Sequence, residues 1–295
     1  MYNYRIANID IQINGEVGLY LKNRLRAYED SLTSHVVNHE VGYNVEVDYS
    51  SVNTITLPGG MYFDKDIRTW QWILKSDGSY AAYQRHPFTG EVVSLFEADK
   101  SWSKVALSLK HFENQFDTTT DTRSVKAIGE IFRHVLLKRD SLSLHSSAIA
   151  YNGEAVLFSA ESGTGKSTHT SLWRKYYDAA VINDDLPAVR PVGDGFYAFG
   201  TPWSGKTTLN SNISAPIKAI VFLDRAERPS IRRLRGGEAF ARLISEISRP
   251  VFNEMTDDTM SVADRLLRAV PTYLLSCDIS KEAVDVVRKA IFLNE

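Results

Sequence analysis

The sequence predicts an α/β protein with a mixed sheet, preceded by a β-rich N-terminal domain. Three observations carry that prediction. Residues 156–173, VLFSAESGTGKSTHTSLW, read as strand, glycine loop and helix. The rest of residues 122–295 alternates short apolar strands with helical periods, mixing hairpins and crossovers. Residues 1–115 consist mostly of alternating, aromatic-rich segments separated by turn residues.

In the N-terminal domain, Tyr4, Ile6, Ile9 and Ile11 suit a first strand, and Leu19, Leu21 and Leu25 have helical spacing. Residues 36–49 alternate imperfectly, with Val41, Tyr43, Val45 and Val47 on one face. Ser-Asp-Gly-Ser at 76–79 joins strands 70–74 and 80–83 as a hairpin. A turn at Thr89–Gly90 leads to strand 92–96, and 105–109 follows. An antiparallel sheet with one or two helices fits. The aromatics here, among them Tyr62, Trp70, Trp72, Tyr80, Phe88, Phe96 and Trp102, are of the type that fills a small β core. A peptide-binding surface is the alternative. Residues 112–120 form a polar linker.

The second domain opens with a helix over 122–138, on which Val125, Ile128, Ile131, Phe132 and Val135 recur near a 3.6 period. Strand 143–150, the Asn152–Gly153 turn and strand 155–159 lead into the glycine loop. Strands 179–183, 188–192, 196–199 and 217–223 follow, then helices 238–247 and 261–269, strand 272–276 and a closing helix 281–292.

The chemistry concentrates in this domain. The loop residues Ser162, Gly163, Thr164, Gly165, Lys166, Ser167 and Thr168 have the order of a phosphate-binding P-loop. Such a loop turns backbone N–H groups toward an anion, and the next helix aims its positive end at the same point. Lys166 is placed to reach the outer phosphates and Ser167 to bind Mg2+. The first glycine of the strict pattern is replaced by Ala160, which is tolerable where no positive φ is needed. Asn183, Asp184 and Asp185 end an apolar strand, where P-loop proteins place a carboxylate for Mg2+. Two acids offer two jobs, one for the metal and one for a nucleophile. The alternative is an ordinary turn before Pro187. His145, on the strand before the loop strand, is placed to orient or charge-balance an aspartate, or else is structural. Ser204, Gly205 and Lys206, within TPWSGKTT, read as a contact for substrate or phosphate, or as an exposed turn. Arg225, Arg228, Arg232, Arg233 and Arg235 crowd one segment; one could reach a transferring phosphoryl group while the others form a solvated face.

Taken together, His145, SGTGKST at 162–168 and Asn-Asp-Asp at 183–185 resemble the HPr serine kinase/phosphorylase family, a phosphoenolpyruvate-carboxykinase-like P-loop group. The resemblance covers about residues 123–292. It implies that Lys166 and the loop bind ATP, that Ser167 and Asp185 hold Mg2+, and that Asp184, assisted by His145, takes a proton from an acceptor hydroxyl. Thr168 stands where the bifunctional enzymes usually carry an acid, and their arginine- and glycine-rich signature segment has no counterpart. The chain is more similar to the HPr-kinase-related proteins that accompany peptide-modification systems. The expected activity is ATP-dependent transfer to a hydroxyl, of a peptide or protein serine or of a small molecule. The alternatives are a nucleotide-binding accessory protein and a carboxykinase-type lyase. Related kinases are often homo-oligomers, and the resemblance extends that expectation here.

Composition narrows the classes further. The chain of 295 residues is 43% hydrophobic and 24% charged, which suits a globular protein. A formal net charge of -2 lacks the basic surplus of a nucleic-acid partner. The single cysteine, Cys277, excludes an intramolecular disulfide and cysteine-cluster zinc sites. The start, MYNYRIANID, lacks a secretory pattern, and no apolar run reaches membrane-span length. A cytoplasmic protein with no membrane partner is the expectation.

Overall fold

The computed structural model describes residues 1–29, 43–63, 69–112, 118–161, 163–205, 209–247 and 252–293. The chain divides into two compact units, Met1–Lys138 and Arg139–Glu295.

Among the described residues the first unit holds one sheet of eight strands, β1 (Tyr2–Ile6), β2 (Ile9–Asn14), β3 (Tyr43–Val52), β4 (Met61–Phe63), β5 (Gln71–Leu74), β6 (Tyr80–Arg85), β7 (Val92–Ala98) and β8 (Lys104–Lys110). Their order is β1-β2-β3-β8-β7-β6-β5-β4. The first predicted strand is a hairpin, because Ala7 and Asn8 both take left-handed φ, 50° and 59°, and reverse the chain. The sheet is also not purely antiparallel: β2 pairs β3, and β3 pairs β8, in parallel. Part of the predicted 36–49 alternation and of the 112–120 linker lies outside the described residues.

Helices α1 (Leu19–Leu25) and α2 (Thr118–Leu137) pack on each other, and α2 packs on β7 and β8. The stripe Ile128, Ile131, Phe132 and Val135 is buried there. The sequence boundary assigns this helix to the second domain; the contacts group it with the first unit. Trp72, Tyr80, Phe96 and Trp102 are buried and fill a core, while Trp70 is half-buried and Tyr62 and Phe88 are exposed. His134, on α2, lies between Trp72 and Trp102 with ring centroids at 4.5 and 4.8 Å.

The second unit holds β9 (Leu142–Ser143), β10 (Ser146–Tyr151), β11 (Glu154–Ser159), β12 (Ala180–Asn183), β13 (Ala188–Val192), β14 (Gly195–Phe199), β15 (Ser214–Arg225), β16 (Ser230–Leu234) and β17 (Thr272–Cys277). Its helices are α3 (Lys166–Tyr177), α4 (Gly236–Glu246), α5 (Asn253–Ala269) and α6 (Lys281–Arg288). The long β15 is shared. Its first residues pair β14, and its later ones lie between β11 and β17, parallel to both. β10 runs antiparallel between β11 and β12. The C-terminal ends of β11, β12, β15 and β17 therefore meet at one end of the sheet, together with the start of β10. In open α/β sheets that end is where ligands bind. Val156, Phe158, Val221 and Leu223 pack against Trp173 of α3 and Val284 and Val287 of α6. The intervening Ala155, Leu157, Ile220 and Phe222 are buried as well, which explains why these strands read as continuous apolar runs. The arginine-rich segment contains a strand: β16 is an edge partner of β17, and charged side chains are common on such edges.

Candidate functional site

Strand β11 buries Val156, Leu157 and Phe158, and the chain leaves it at Ala160. Gly163 and Gly165 take φ of 83° and 123°, values that side chains rarely adopt. Ala160 is not among the described residues with positive φ, so alanine is accommodated at that position. Gly165 opens α3, and the His169 N–H donates to its carbonyl at 2.9 Å. N–H groups ahead of that bond have no partner within the helix. A Cβ built at Gly163 or Gly165 meets nothing within 4 Å, so the loop faces open space on that side. Lys166 is buried and donates from Nζ to the Ala160 carbonyl at 2.5 Å. Burial pushes its pKa down, opposed by the negative charges of Glu246 and Asp185. Ser167 and Thr168 are exposed on the first turn of α3, and Thr164 is half-buried. Ser162 lies outside the described residues.

The acids enter from β12. Asn183 is fully buried and braces the turn with five bonds. Its Nδ2 donates to the carbonyls of Thr201 and Trp203 and to Thr201 Oγ1. Its Oδ1 accepts the N–H groups of Asp185 and Leu186 at 2.8 and 2.7 Å. The two carboxylates that follow then diverge. Asp184 is buried, and its Oδ1 accepts the Gly205 N–H at 2.7 Å. Asp185 is 33% exposed, and its Oδ1 lies 3.4 Å from His145 Nε2.

The second nitrogen of His145, Nδ1, lies 3.0 Å from Glu246 Oε2 at the C-terminus of α4. Hydrogen bonds to Asp185, then to Glu246, raise the imidazole pKa to about 9, against burial and the charge of Lys166. His145 thus stands beside Asp185, whereas the resemblance implied that it assists Asp184. Glu246 carries no local sequence signal, sitting 101 residues from its partner.

The 201–205 loop closes over the acid turn. Thr201 Oγ1 donates to the Leu186 carbonyl at 2.7 Å, and Ser204 Oγ accepts from Asn210 at 2.9 Å. The Gly205 N–H is spent on a carboxylate of the protein. Lys206 lies outside the described residues. Gly200 lets this loop approach its neighbour, since a Cβ there would collide with the Ser211 carbonyl. Of the arginines, Arg225 donates to the Gly163 carbonyl in the glycine loop. Arg232 pairs with Glu238, and Arg233 lies over the Tyr273 ring. A surface cavity of about 610 Å3 beside Gly236–Gly237 is lined by Arg233 and Arg235 but by none of the loop residues, His145, Asp184 or Asp185, and one of about 450 Å3 lies on the first sheet.

These groups suit a nucleotide phosphate chain: open glycine turns, a helix start and a lysine in one loop. No group of three or more His, Cys, Asp or Glu side chains converges on a metal position among the described residues. Mg2+ fits here as it does in other phosphate sites, through one hydroxyl, one carboxylate and the phosphates themselves. Ser167 and Asp185 are the residues that could supply the protein's share.

The fold and this strand end define a mixed α/β protein with a glycine loop between strand and helix. A family model described as SynChlorMet cassette protein ScmC matches residues 111–292, and the chain belongs to that family. No curated protein matches the chain. Among solved structures, the Hpr(Ser) kinase/phosphatase from Coxiella burnetii is similar over 50% of this chain and 95% of its own. The identity is 12% and the TM-score 0.31, too loose a likeness to speak for chemistry. No described helix is long and apolar enough to cross a membrane.

Proposed function

We propose that this chain is an ATP-dependent phosphotransferase that delivers the γ-phosphoryl group to a hydroxyl, of a peptide or protein serine or of a small molecule. The observation that carries this reading is one strand end holding the Lys166 loop, Asp184, Asp185 and His145 together. Lys166 and the N–H groups of the loop hold the phosphates. Ser167 and Asp185 would hold Mg2+, which neutralises phosphate charge when bound. His145 turns the Asp185 carboxylate by occupying one of its oxygens. Asp184 accepts the acceptor hydroxyl's proton as that oxygen bonds to the γ-phosphorus. The bond from that phosphorus to the oxygen it shares with the β-phosphorus breaks, and ADP leaves. Arg225 donates to the Gly163 carbonyl of the loop, and from there its charge would stabilise the transferring phosphoryl group.

The test is transfer of labelled γ-phosphate from Mg-ATP into a lysate of the source cells, by wild type and Asp184→Asn. Label with wild type alone supports the reading, and its partition between macromolecules and small molecules gives the acceptor class. ATP binding without label in either fraction points instead to a nucleotide-binding accessory protein.

A further inference from the structure

We propose that Glu246 is a positioning residue that fixes the His145 ring so that Nε2 faces Asp185. The role in turnover rests on the phosphotransferase reading; the positioning of the ring does not.

Glu246 grips His145 twice. Its main-chain carbonyl accepts the His145 N–H at 3.0 Å, and its carboxylate meets Nδ1 at 3.0 Å. The Leu144–Ile247 bridge extends the main-chain contact by one residue on each side. Those backbone bonds would form with any residue at 246, so they do not explain an acid. The acid is costly here. Its side chain is only 8% exposed, and it occupies the last turn of α4, where the helix dipole disfavours negative charge. Burial without a partner would be worse still. His145 is the partner that offsets both costs, with the charge of Lys166 close enough to contribute.

The consequence is a directed ring. With Nδ1 taken by Glu246 and Nε2 facing Asp185, each nitrogen has its own carboxylate. Flipping the ring would break both contacts. Asp185 is thereby held by a side chain that α4 aims, although α4 and β12 are far apart in sequence. Partners one step removed from a reacting group commonly matter this way, and their loss costs roughly 10–100-fold in activity.

The experiment uses the full chain, with histidine nitrogens labelled, at one near-neutral pH. The wild-type Nδ1–H of His145 should give a downfield, slowly exchanging NMR signal, assigned by its absence in His145→Gln. Glu246→Ala should abolish that signal and lower turnover by roughly 10–100-fold with unchanged ATP affinity. Glu246→Asp should recover part of the turnover. A persisting signal in Glu246→Ala, or wild-type turnover there, overturns the proposal. Should that variant not fold, Glu246→Gln preserves the shape, and the signal should move upfield because a neutral acceptor bonds more weakly. An unmoved signal overturns the proposal. A Glu246-dependent signal in a wild-type protein that transfers no phosphate would sink the phosphotransferase reading and leave the positioning intact.

Discussion

His134 and His145 are eleven residues apart and belong to different units, and their surroundings push them in opposite directions. His134 is sealed between two indoles, donating Nδ1–H to the Glu130 carbonyl at 2.9 Å. Burial, then the charges of Arg133 and Lys138, drive its pKa down to about 3. His145 faces Asp185 and Glu246, and its pKa rises to about 9. One ring is a neutral plate in an aromatic core, and the other is a cation clamped by two acids. The difference shows that a histidine's meaning lies in its neighbours. It also marks which unit carries charge at a strand end suited to phosphate.

The sharpest way to break this contrast is to remove the scaffold on one side. Asn183→Ala deletes five hydrogen bonds, two buried and three part-buried, and should cost about 3 kcal/mol, felt in the second unit. Hydrogen exchange resolved by unit would register it, and equal loosening of both units would contradict the account. His134→Ala should cost roughly 2 kcal/mol by leaving a gap between Trp72 and Trp102, with the effect confined to the first unit.

Titration sharpens the same contrast. His134 has a folded pKa below its unfolded value of 6.5. Its contribution to stability is therefore present above that value and is lost as pH falls toward 3. His145 has the opposite sign: its contribution is full below 6.5 and is lost as pH rises through 9. Denaturation followed by unit across that range should show the first unit weakening in acid and the second in mild base. The smallest effect belongs to Arg232→Ala. Its pair with Glu238 is exposed on both sides, so the melting temperature should not move measurably.

Much of the second unit was legible because its signals are local. An apolar run followed by Gly163 and Gly165 specifies a strand and a tight turn, and β11 and α3 lie where that pattern puts them. Asp184 and Asp185 were visible as acids ending an apolar strand. Glu246 was not, since its partner arrives only through tertiary packing of α4. The β1–β2 hairpin was hidden because Ala7 and Asn8 lack the Asn-Gly signature of such turns. Strand β16 was masked by its arginines, which suit an edge but read as a charged loop. The parallel pairing of β3 with β2 and β8 has no local cause, because crossovers set it. Helix α2 had a clear period, yet periodicity names a buried face without naming the unit that buries it.

The most direct measurement is calorimetric titration of Mg-ATP into wild type, Lys166→Ala and His134→Ala. Mg-ATP should bind wild type and His134→Ala with the same affinity and should fail to bind Lys166→Ala. Binding that survives without Lys166 but disappears without His134 would place the nucleotide on the wrong unit and contradict the account.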